Sequence, residues 1–239
     1  MNILITGGAS GFGESITKSL AIEEHTIYFT YNNSEKAARN LESLYPNTIG
    51  LKCDFTSSES VSELIDKLGQ INLDVLINNA YSGKFLDTHF HKTSSESFLL
   101  DFKSNILPTI EITQAVIKGF RKRKSGRIIT VLTSVLAGTA PVGSSSYVSV
   151  KAYLKKMTQM WAVENSKFNI TSNTVSPSFM RTELTNSIDE RVTDQIRSQN
   201  PNGNLLLTDE ASESVRFLVN ASKQINGLDL VINAASDFS

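Results

Sequence analysis

Tyr147 and Lys151 lie four residues apart in the stretch SSSYVSVKAYLKK, residues 144–156. The pattern of this stretch predicts a helix, and a spacing of four places both side chains on one helix face. A neighbouring cation favours the phenolate form and lowers the pKa of a phenol from ~10, which would suit it to proton transfer. A tyrosine packed on the aliphatic part of a lysine is the simpler interpretation, and this pair alone does not decide between the two.

A glycine-rich loop follows the first apolar run in TGGASGFGESI, where Gly7, Gly11 and Gly13 border a helical pattern that starts at Phe12. Glycines allow a tight turn and a close approach to a phosphate, and the free N–H groups of a helix N-terminus attract anions. A plain turn also uses glycine, but the position after a first strand favours a dinucleotide pyrophosphate. The sequence therefore predicts a phosphate-binding loop.

The elements that must position these groups alternate along the chain. Short apolar runs predict strands at 2–6, 26–31, 48–53, 73–79, 126–134, 169–176 and 228–233. Helical periodicity occupies 12–24, 34–45, 57–69, 95–124, 145–166 and 209–222. This alternation predicts one α/β domain over residues 1–239 with a mostly parallel, seven-stranded sheet. The irregular range 177–207 is predicted to be a substrate lid, because long connections in such domains often cover binding sites.

Composition argues against several classes of function. Lys and Arg number 23, and Asp and Glu number 24, so the net charge of −1 favours neither nucleic acid nor a membrane surface as partner. Cys53 is the only cysteine, which excludes an intrachain disulfide and a cysteine metal cluster. His89 and His91 without further ligands make a poor zinc site, so no metal is predicted. No apolar run approaches the ~20 residues of a membrane helix, and the first residues do not resemble a signal peptide, so we expect a cytoplasmic protein.

Five motifs follow one another along nearly the whole chain. TGGASGFG comes first, and NNAY stands at 78–81. Asn105 follows in FKSNILPT, and Ser134 lies thirteen residues before Tyr147 of YVSVK. VSPSFMRT at 175–182 comes last. These residues and spacings resemble the short-chain dehydrogenase/reductase family, in particular its 3-oxoacyl carrier-protein reductases. The resemblance implies a Rossmann-type, doubly wound fold with helices on both faces of the sheet.

The resemblance also implies a reaction, the NAD(P)(H)-dependent interconversion of a carbonyl and a secondary alcohol. Tyr147 would donate and accept the proton, while Lys151 would assist it and bind the nicotinamide ribose. Ser134 would hydrogen-bond the substrate oxygen, and Asn105 would hold a water that relays protons. Homo-oligomerisation, as a dimer or tetramer, is implied in the same way.

Several alternatives stay open at this point. Thr133 or one of the serines at 144–146 is close enough in the chain to take the place of Ser134. A 3-oxoacyl reductase is the first choice of function, and a reductase of a small ketone, sugar or biosynthetic intermediate is the second. A dinucleotide-binding sensor without turnover is the alternative from another class, and it would have no need of the paired Tyr147 and Lys151.

The end of the second strand bears on the choice of nicotinamide. NAD-dependent enzymes commonly place an acidic residue there, but TYNNSEK has no acid before Glu35. Neutral donors would tolerate a 2′-phosphate, so NADP(H) is favoured over NAD(H), although Ser10 stands where a basic residue is common and Lys36 is the nearest cation. The residues expected to bind the cofactor are Thr6, Gly7, Ser10, Gly11, Phe12, Gly13, Tyr31, Asn32, Asn33, Ser34, Asp54, Phe55, Asn79, Ala80, Tyr81, Tyr147, Lys151, Pro177, Ser178 and Thr182.

Three positions depart from the family pattern. Tyr81 stands where the family usually has glycine, Ser178 replaces the glycine after Pro177, and the C-terminal stretch reads LVINAASDFS. These departures predict either an unusual substrate or a drift away from catalysis.

The basic run RKRK at 121–124 has two interpretations. Cations at the end of a long helix complement its dipole. Alternatively the run, joined by Lys167, docks an acidic carrier protein. The expected partner is therefore a small carbonyl or alcohol substrate, either free or attached to a carrier protein.

Overall fold

The computed structural model describes residues 1–236, and it contains seven strands. They are β1 (Asn2–Ile5), β2 (Thr26–Tyr31), β3 (Thr48–Lys52), β4 (Val75–Asn78), β5 (Gly126–Val131), β6 (Ile170–Pro177) and β7 (Asp229–Ile232). They form one sheet in the order β3-β2-β1-β4-β5-β6-β7. Every neighbouring pair is parallel, so the sheet that was predicted to be mostly parallel is wholly parallel.

Helices cover both faces of this sheet. They are α1 (Gly11–Ala21), α2 (Glu35–Leu44), α3 (Ser58–Leu68), α4 (Ser95–Asp101), α5 (Leu107–Arg123), α6 (Ser145–Asn165), α7 (Glu190–Gln199) and α8 (Thr208–Asn220). The predicted doubly wound α/β fold is confirmed. Within residues 1–236, no helix has the length and apolar character needed to cross a membrane.

The core lies on both sides of the sheet. Ile3 and Ile5 pack with apolar residues of α1 and α8, whereas Leu4 packs with those of α3 and α5. Successive side chains of a strand point to opposite faces, so a strand covered on both sides must be apolar throughout. This requirement explains the continuous apolar run at the start of the chain.

The helix predicted over 95–124 is interrupted by a π-helix at Phe102–Ile106, between α4 and α5. Pro108 is the second residue of α5 and lacks the N–H that a regular helix would need there. The N–H of Leu107 bonds to the carbonyl of Phe102, five residues back, which widens the turn. This wide turn carries the predicted site residue Asn105.

The range 177–207, predicted to be irregular, is partly helical. It contains a 3-10 turn at Glu183–Thr185 as well as α7, and Thr193 of α7 is buried. Its action as a lid stays a prediction. The last three residues of the divergent C-terminal stretch, 237–239, lie outside the described residues.

Candidate active site

A cleft of about 500 Å³ opens at the carboxyl ends of the strands, where the strand order reverses between β1 and β4. Doubly wound folds bind their ligands at this point. The predicted site residues in its wall are Gly7, Ser10, Gly11, Phe12, Gly13, Tyr31, Asn32, Asn33, Ser34, Asp54, Phe55, Asn79, Ala80, Tyr81, Tyr147, Lys151, Pro177, Ser178 and Thr182. Thr6, Asn105 and Ser134 are not in this wall.

The glycine-rich loop has a backbone that requires glycine. Gly7 and Gly11 have φ angles of 65° and 53°, in the left-handed region. A Cβ atom on Gly13 would lie 2.0 Å from the carbonyl oxygen of Gly7, so α1 begins directly against the loop. The first residues of α1 line the cleft, which leaves free N–H groups of its first turn for a phosphate. The loop therefore fits a dinucleotide pyrophosphate.

Thr6 and Asn79 join the ends of β1 and β4 beneath this loop. The Thr6 hydroxyl oxygen accepts hydrogen bonds from the backbone N–H groups of Asn79 and Ala80, each at 3.0 Å. The Asn79 amide nitrogen donates to the carbonyl oxygens of Thr6 at 2.9 Å and Gly7 at 3.1 Å. The Thr6 side chain thus ties the ends of β1 and β4 together and does not line the cleft, and its predicted contact with the cofactor stays a prediction.

The end of β2 presents neutral groups. Lys36, the nearest cation in the sequence, is exposed and does not line the cleft. Among the described residues that do line the cleft, Lys151 is the only lysine or arginine. Asp54 follows β3 and accepts hydrogen bonds from the backbone N–H and hydroxyl of Thr56 at 2.8 and 2.7 Å. These bonds, with a weaker one from Asn32, hold the pKa of Asp54 below its usual value.

Tyr147 and Lys151 lie on α6, and both are buried. The Lys151 Nζ donates to the carbonyl oxygen of Val131 at 2.9 Å and lies 5.8 Å from the centroid of the Tyr147 ring. Burial lowers the pKa of Lys151 to about 8 and raises the pKa of Tyr147 to about 12. The predicted lowering of the phenol pKa is therefore wrong for this arrangement, because the cost of desolvating the phenolate dominates.

Thr133 lies in the cleft wall beside Tyr147, whereas Ser134 does not line the cleft, so the catalytic role predicted for Ser134 stays a prediction. Thr133 is buried and lines the cleft, and its hydroxyl partly offsets the rise in the pKa of the Tyr147 phenol. Ser134 begins the short 3-10 helix Ser134–Leu136 and is absent from the cleft wall. Adjacent residues in extended chain point in different directions, which the thirteen-residue spacing does not take into account.

Asn105 uses its side chain to hold the loop that follows β4. Its Oδ1 accepts from the backbone N–H of Ser82 at 2.7 Å, and its Nδ2 donates to the Ser82 carbonyl at 2.9 Å. The same Nδ2 donates to the carbonyl of Asp101 at 3.0 Å. Asn105 therefore fixes the segment that carries Tyr81, while its predicted contact with a relaying water stays a prediction.

Aromatic rings surround the Tyr147 phenol. The rings of Tyr81 and Phe85 each meet the Tyr147 ring edge-on, with centroids 5.1 Å apart in both pairs. Phe179, in the segment after β6, lies 6.2 Å from Phe85 between ring centroids. Neither Phe85 nor Phe179 was predicted, because their meeting depends on two loops that are distant in sequence. Among residues 1–236, no three His, Cys, Asp or Glu side chains are grouped to hold a metal.

The reversed strand order and the glycine-rich loop define a dinucleotide-binding fold, and the buried Tyr147–Lys151 pair lies in the wall of its cleft. A family model described as Enoyl-(Acyl carrier protein) reductase matches residues 7–234. The 3-oxoacyl-[acyl-carrier-protein] reductase FabG of Vibrio cholerae is 28% identical over 235 residues, covering 96% of this chain and 94% of the relative. Carbonyl reductase family member 4 of Xenopus laevis is 28% identical over 233 residues, with coverage of 96% and 94%.

A solved structure is similar to this chain over nearly its whole length. The structure described as "ElxO with NADP Bound" is 30% identical, covers 98% of both chains and superposes with a TM-score of 0.87. The chain belongs to the short-chain dehydrogenase/reductase family. It is accordingly an oxidoreductase that interconverts a carbonyl and an alcohol with NAD(P).

Proposed function

We propose that the chain is an NADP(H)-dependent ketoreductase of the 3-oxoacyl type, with Tyr147 as the proton donor. The observation that carries this proposal is the Tyr147 hydroxyl, which lies beside Thr133 in a cleft whose glycine-rich end fits a dinucleotide. Several relatives are 3-oxoacyl-[acyl-carrier-protein] reductases, which supports the 3-oxoacyl substrate class.

The protonation state of Tyr147 is compatible with a role as proton donor in carbonyl reduction. With a pKa raised to about 12, Tyr147 is protonated at neutral pH, which is the form that donates to a carbonyl oxygen. The bound nicotinamide would supply the hydride. The Thr133 hydroxyl would hydrogen-bond the substrate oxygen and stabilise the charge that develops on it.

Lys151 would act on the phenolate that proton donation leaves behind. It lies one helical turn from Tyr147, and its pKa of about 8 keeps it largely protonated at neutral pH. A nearby ammonium lowers the free energy of a phenolate, and Lys151 would also hold the nicotinamide ribose. Its present acceptor, the Val131 carbonyl, holds the ammonium inside the cleft.

The preference for NADP(H) rests on what the end of β2 lacks. Asn32, Asn33 and Ser34 line the cleft there, with no carboxylate to repel a 2′-phosphate. Asp54 also lines the cleft, but its carboxylate is engaged by Thr56. The NADP-bound structure that superposes on this chain supports the same choice.

A carrier-bound substrate would have a small basic surface available. At the end of α5, Arg121 donates to the Oδ1 of Asn165 at 2.7 Å, and Arg123 donates to the carbonyl of Leu73. All four residues are exposed, but the arginine side chains are held by these bonds, so Lys122 and Lys124 are the residues of RKRK that we expect to contact an acidic carrier.

The proposed homo-oligomer has support from apolar side chains exposed on neighbouring helices. Leu107 of α5 is 39% exposed, and Met160 and Val163 of α6 are 42% and 75% exposed. Such side chains are commonly covered in assemblies.

A reductase of small ketones is the second candidate. The Tyr81 ring packs against Tyr147 and fills space that a glycine would leave open, which favours a substrate with little bulk beside its carbonyl. An acetoacetyl thioester and a simple methyl ketone distinguish the two candidates.

The test follows nicotinamide absorbance with purified protein, NADPH or NADH, and one of three substrates. These are an acetoacetyl thioester, a methyl ketone without a thioester, and a crotonyl thioester. We expect the acetoacetyl thioester with NADPH to give the highest kcat/KM, by roughly tenfold or more. Turnover of the methyl ketone alone would favour the second candidate. Turnover of the crotonyl thioester alone would contradict carbonyl reduction, and NADPH binding without any turnover would favour a sensor.

A further inference from the structure

Asp101, the last residue of α4, joins two segments of the active site. Its backbone carbonyl accepts the Asn105 Nδ2 at 3.0 Å, and Asn105 in turn holds Ser82 in the loop that carries Tyr81. Its carboxylate accepts a hydrogen bond from the hydroxyl of Ser146 on α6. Asp101 is thus linked by hydrogen bonds to both segments that carry a tyrosine of the site. The link to α6 is direct, through Ser146, and the link to the loop of Tyr81 passes through Asn105.

Ser146 is the residue immediately before Tyr147 and lies in the first turn of α6. The N-cap residue Ser144 makes no capping bond, because its hydroxyl donates to the carbonyl of Pro141 at 2.6 Å. The Asp101 carboxylate therefore provides a side-chain tie for a helix end that lacks a cap. A negative charge at this end also complements the helix dipole.

We propose that Asp101 and Ser146 are positioning residues that hold the Tyr147 hydroxyl at the place from which it donates its proton. This inference rests on the proposed function of Tyr147. It assigns a role to a carboxylate that lies outside the cleft wall and that the reaction itself does not require. Small displacements of a catalytic group have large effects on rate, so a tie one residue away is well placed to control turnover.

The test is a double-mutant cycle with Asp101→Ala, Ser146→Ala and the double variant, using NADPH and the acetoacetyl thioester. We expect each single variant to lower kcat roughly tenfold or more while the Kd for NADPH stays unchanged. The double variant should be no slower than the singles, because both changes remove the same bond. Asp101→Asn keeps an acceptor oxygen and should restore most of the lost kcat.

Two variants serve as controls. Ser149→Ala removes an exposed hydroxyl on the same helix that bonds only to Ser145 in its own turn, and Glu96→Ala removes an exposed carboxylate from α4. Both should keep the kcat of the unmodified protein. Full kcat in Asp101→Ala and Ser146→Ala, or independent and additive losses, would overturn the inference.

Two further measurements separate this inference from the proposed function. If Tyr147→Phe also keeps full kcat, the proposed function fails; if only Tyr147→Phe loses it, the positioning role fails. Hydrogen exchange of the peptide spanning 141–150 requires no turnover. Asp101→Ala and Ser146→Ala should speed its exchange equally and leave the C-terminal turns of α6 unchanged, and unchanged exchange in 141–150 would overturn the proposed tie.

Discussion

The ring of Tyr81 lies edge-on to the ring of Tyr147, with centroids 5.1 Å apart and planes 84° apart. The Lys151 ammonium is 5.5 Å from the centroid of the same Tyr81 ring. Tyr81 therefore lies against both Tyr147 and Lys151, at a position where the family usually has glycine. Burial, with smaller effects from Asp101 and Tyr147, raises the pKa of the Tyr81 phenol, so it stays neutral at physiological pH.

Removing the Tyr81 ring should widen the choice of substrate. Tyr81→Ala opens space beside Tyr147, so the ratio of kcat/KM for a bulky aryl ketone to that for a methyl ketone should rise roughly tenfold. Tyr81→Phe keeps the ring and should leave this ratio unchanged. Equal ratios in all three proteins would mean that Tyr81 does not limit substrate size.

A methyl group on Gly13 should damage the phosphate loop. Gly13→Ala places its Cβ against the Gly7 carbonyl, so we expect a stability loss of about 1–3 kcal/mol in urea unfolding and weaker NADPH binding. Gly119→Ala is the matched control, because its Cβ would contact only the flexible Arg123 side chain at 3.4 Å. In this half-buried position within α5, alanine should stabilise by up to about 1 kcal/mol and leave NADPH binding intact. Similar effects of Gly13→Ala and Gly119→Ala on NADPH binding would contradict the proposed role of the glycine-rich loop in holding the phosphates.

Burial of Lys151 should appear in the pH dependence of stability. Its pKa is lowered from 10.5 to about 8 in the folded chain, so the unfolded chain binds more protons between these values. The unfolding free energy contributed by Lys151 should therefore rise as pH increases from 8 towards 10.5, and below pH 8 the cost of the buried charge is present in full.

Lys151→Met removes the cost of burying the lysine charge, so we expect this variant to be more stable than the unmodified protein at pH 7. The advantage should be about 1–3 kcal/mol, since loss of the bond to Val131 offsets part of it, and it should shrink by pH 10. Lys156→Met removes an exposed lysine of the same helix and should show no such trend. Urea unfolding at several pH values measures both; an advantage that does not change with pH would contradict the buried charge.

Thr133 and Ser134 can be separated by single substitutions. Thr133→Val keeps the shape of the side chain and removes the hydroxyl beside Tyr147, so kcat should fall roughly 100-fold. Ser134→Ala should change kcat by less than about threefold, because Ser134 does not line the cleft. A larger loss in Ser134→Ala than in Thr133→Val would restore the assignment made from sequence spacing.

Local sequence patterns were sufficient to predict the strands of the sheet and the glycine-rich loop. Apolar runs bounded by polar segments marked the strands, and the glycine spacing marked the phosphate loop because Gly7, Gly11 and Gly13 meet strict steric demands. These demands are set by residues close in sequence. The long predicted helix failed at Phe102–Ile106, where Pro108 interrupts the regular bonding.

The details of the site depend on tertiary contacts. The direction of the Tyr147 pKa shift follows from burial beneath Tyr81 and Phe85, and spacing carries no information on burial. Likewise, the choice between Thr133 and Ser134 depends on which side chain turns toward α6 at the end of β5.

The comparison of Tyr147→Phe with the unmodified protein tests the central claim most directly. Tyr153→Phe, which changes an exposed tyrosine of the same helix, is the control. NADPH binding by fluorescence titration and NADPH-dependent reduction of an acetoacetyl thioester are measured for all three proteins. We predict that Tyr147→Phe binds NADPH with unchanged Kd and loses at least about 100-fold in kcat, while Tyr153→Phe matches the unmodified protein. Full turnover by Tyr147→Phe would contradict the role of Tyr147 as proton donor.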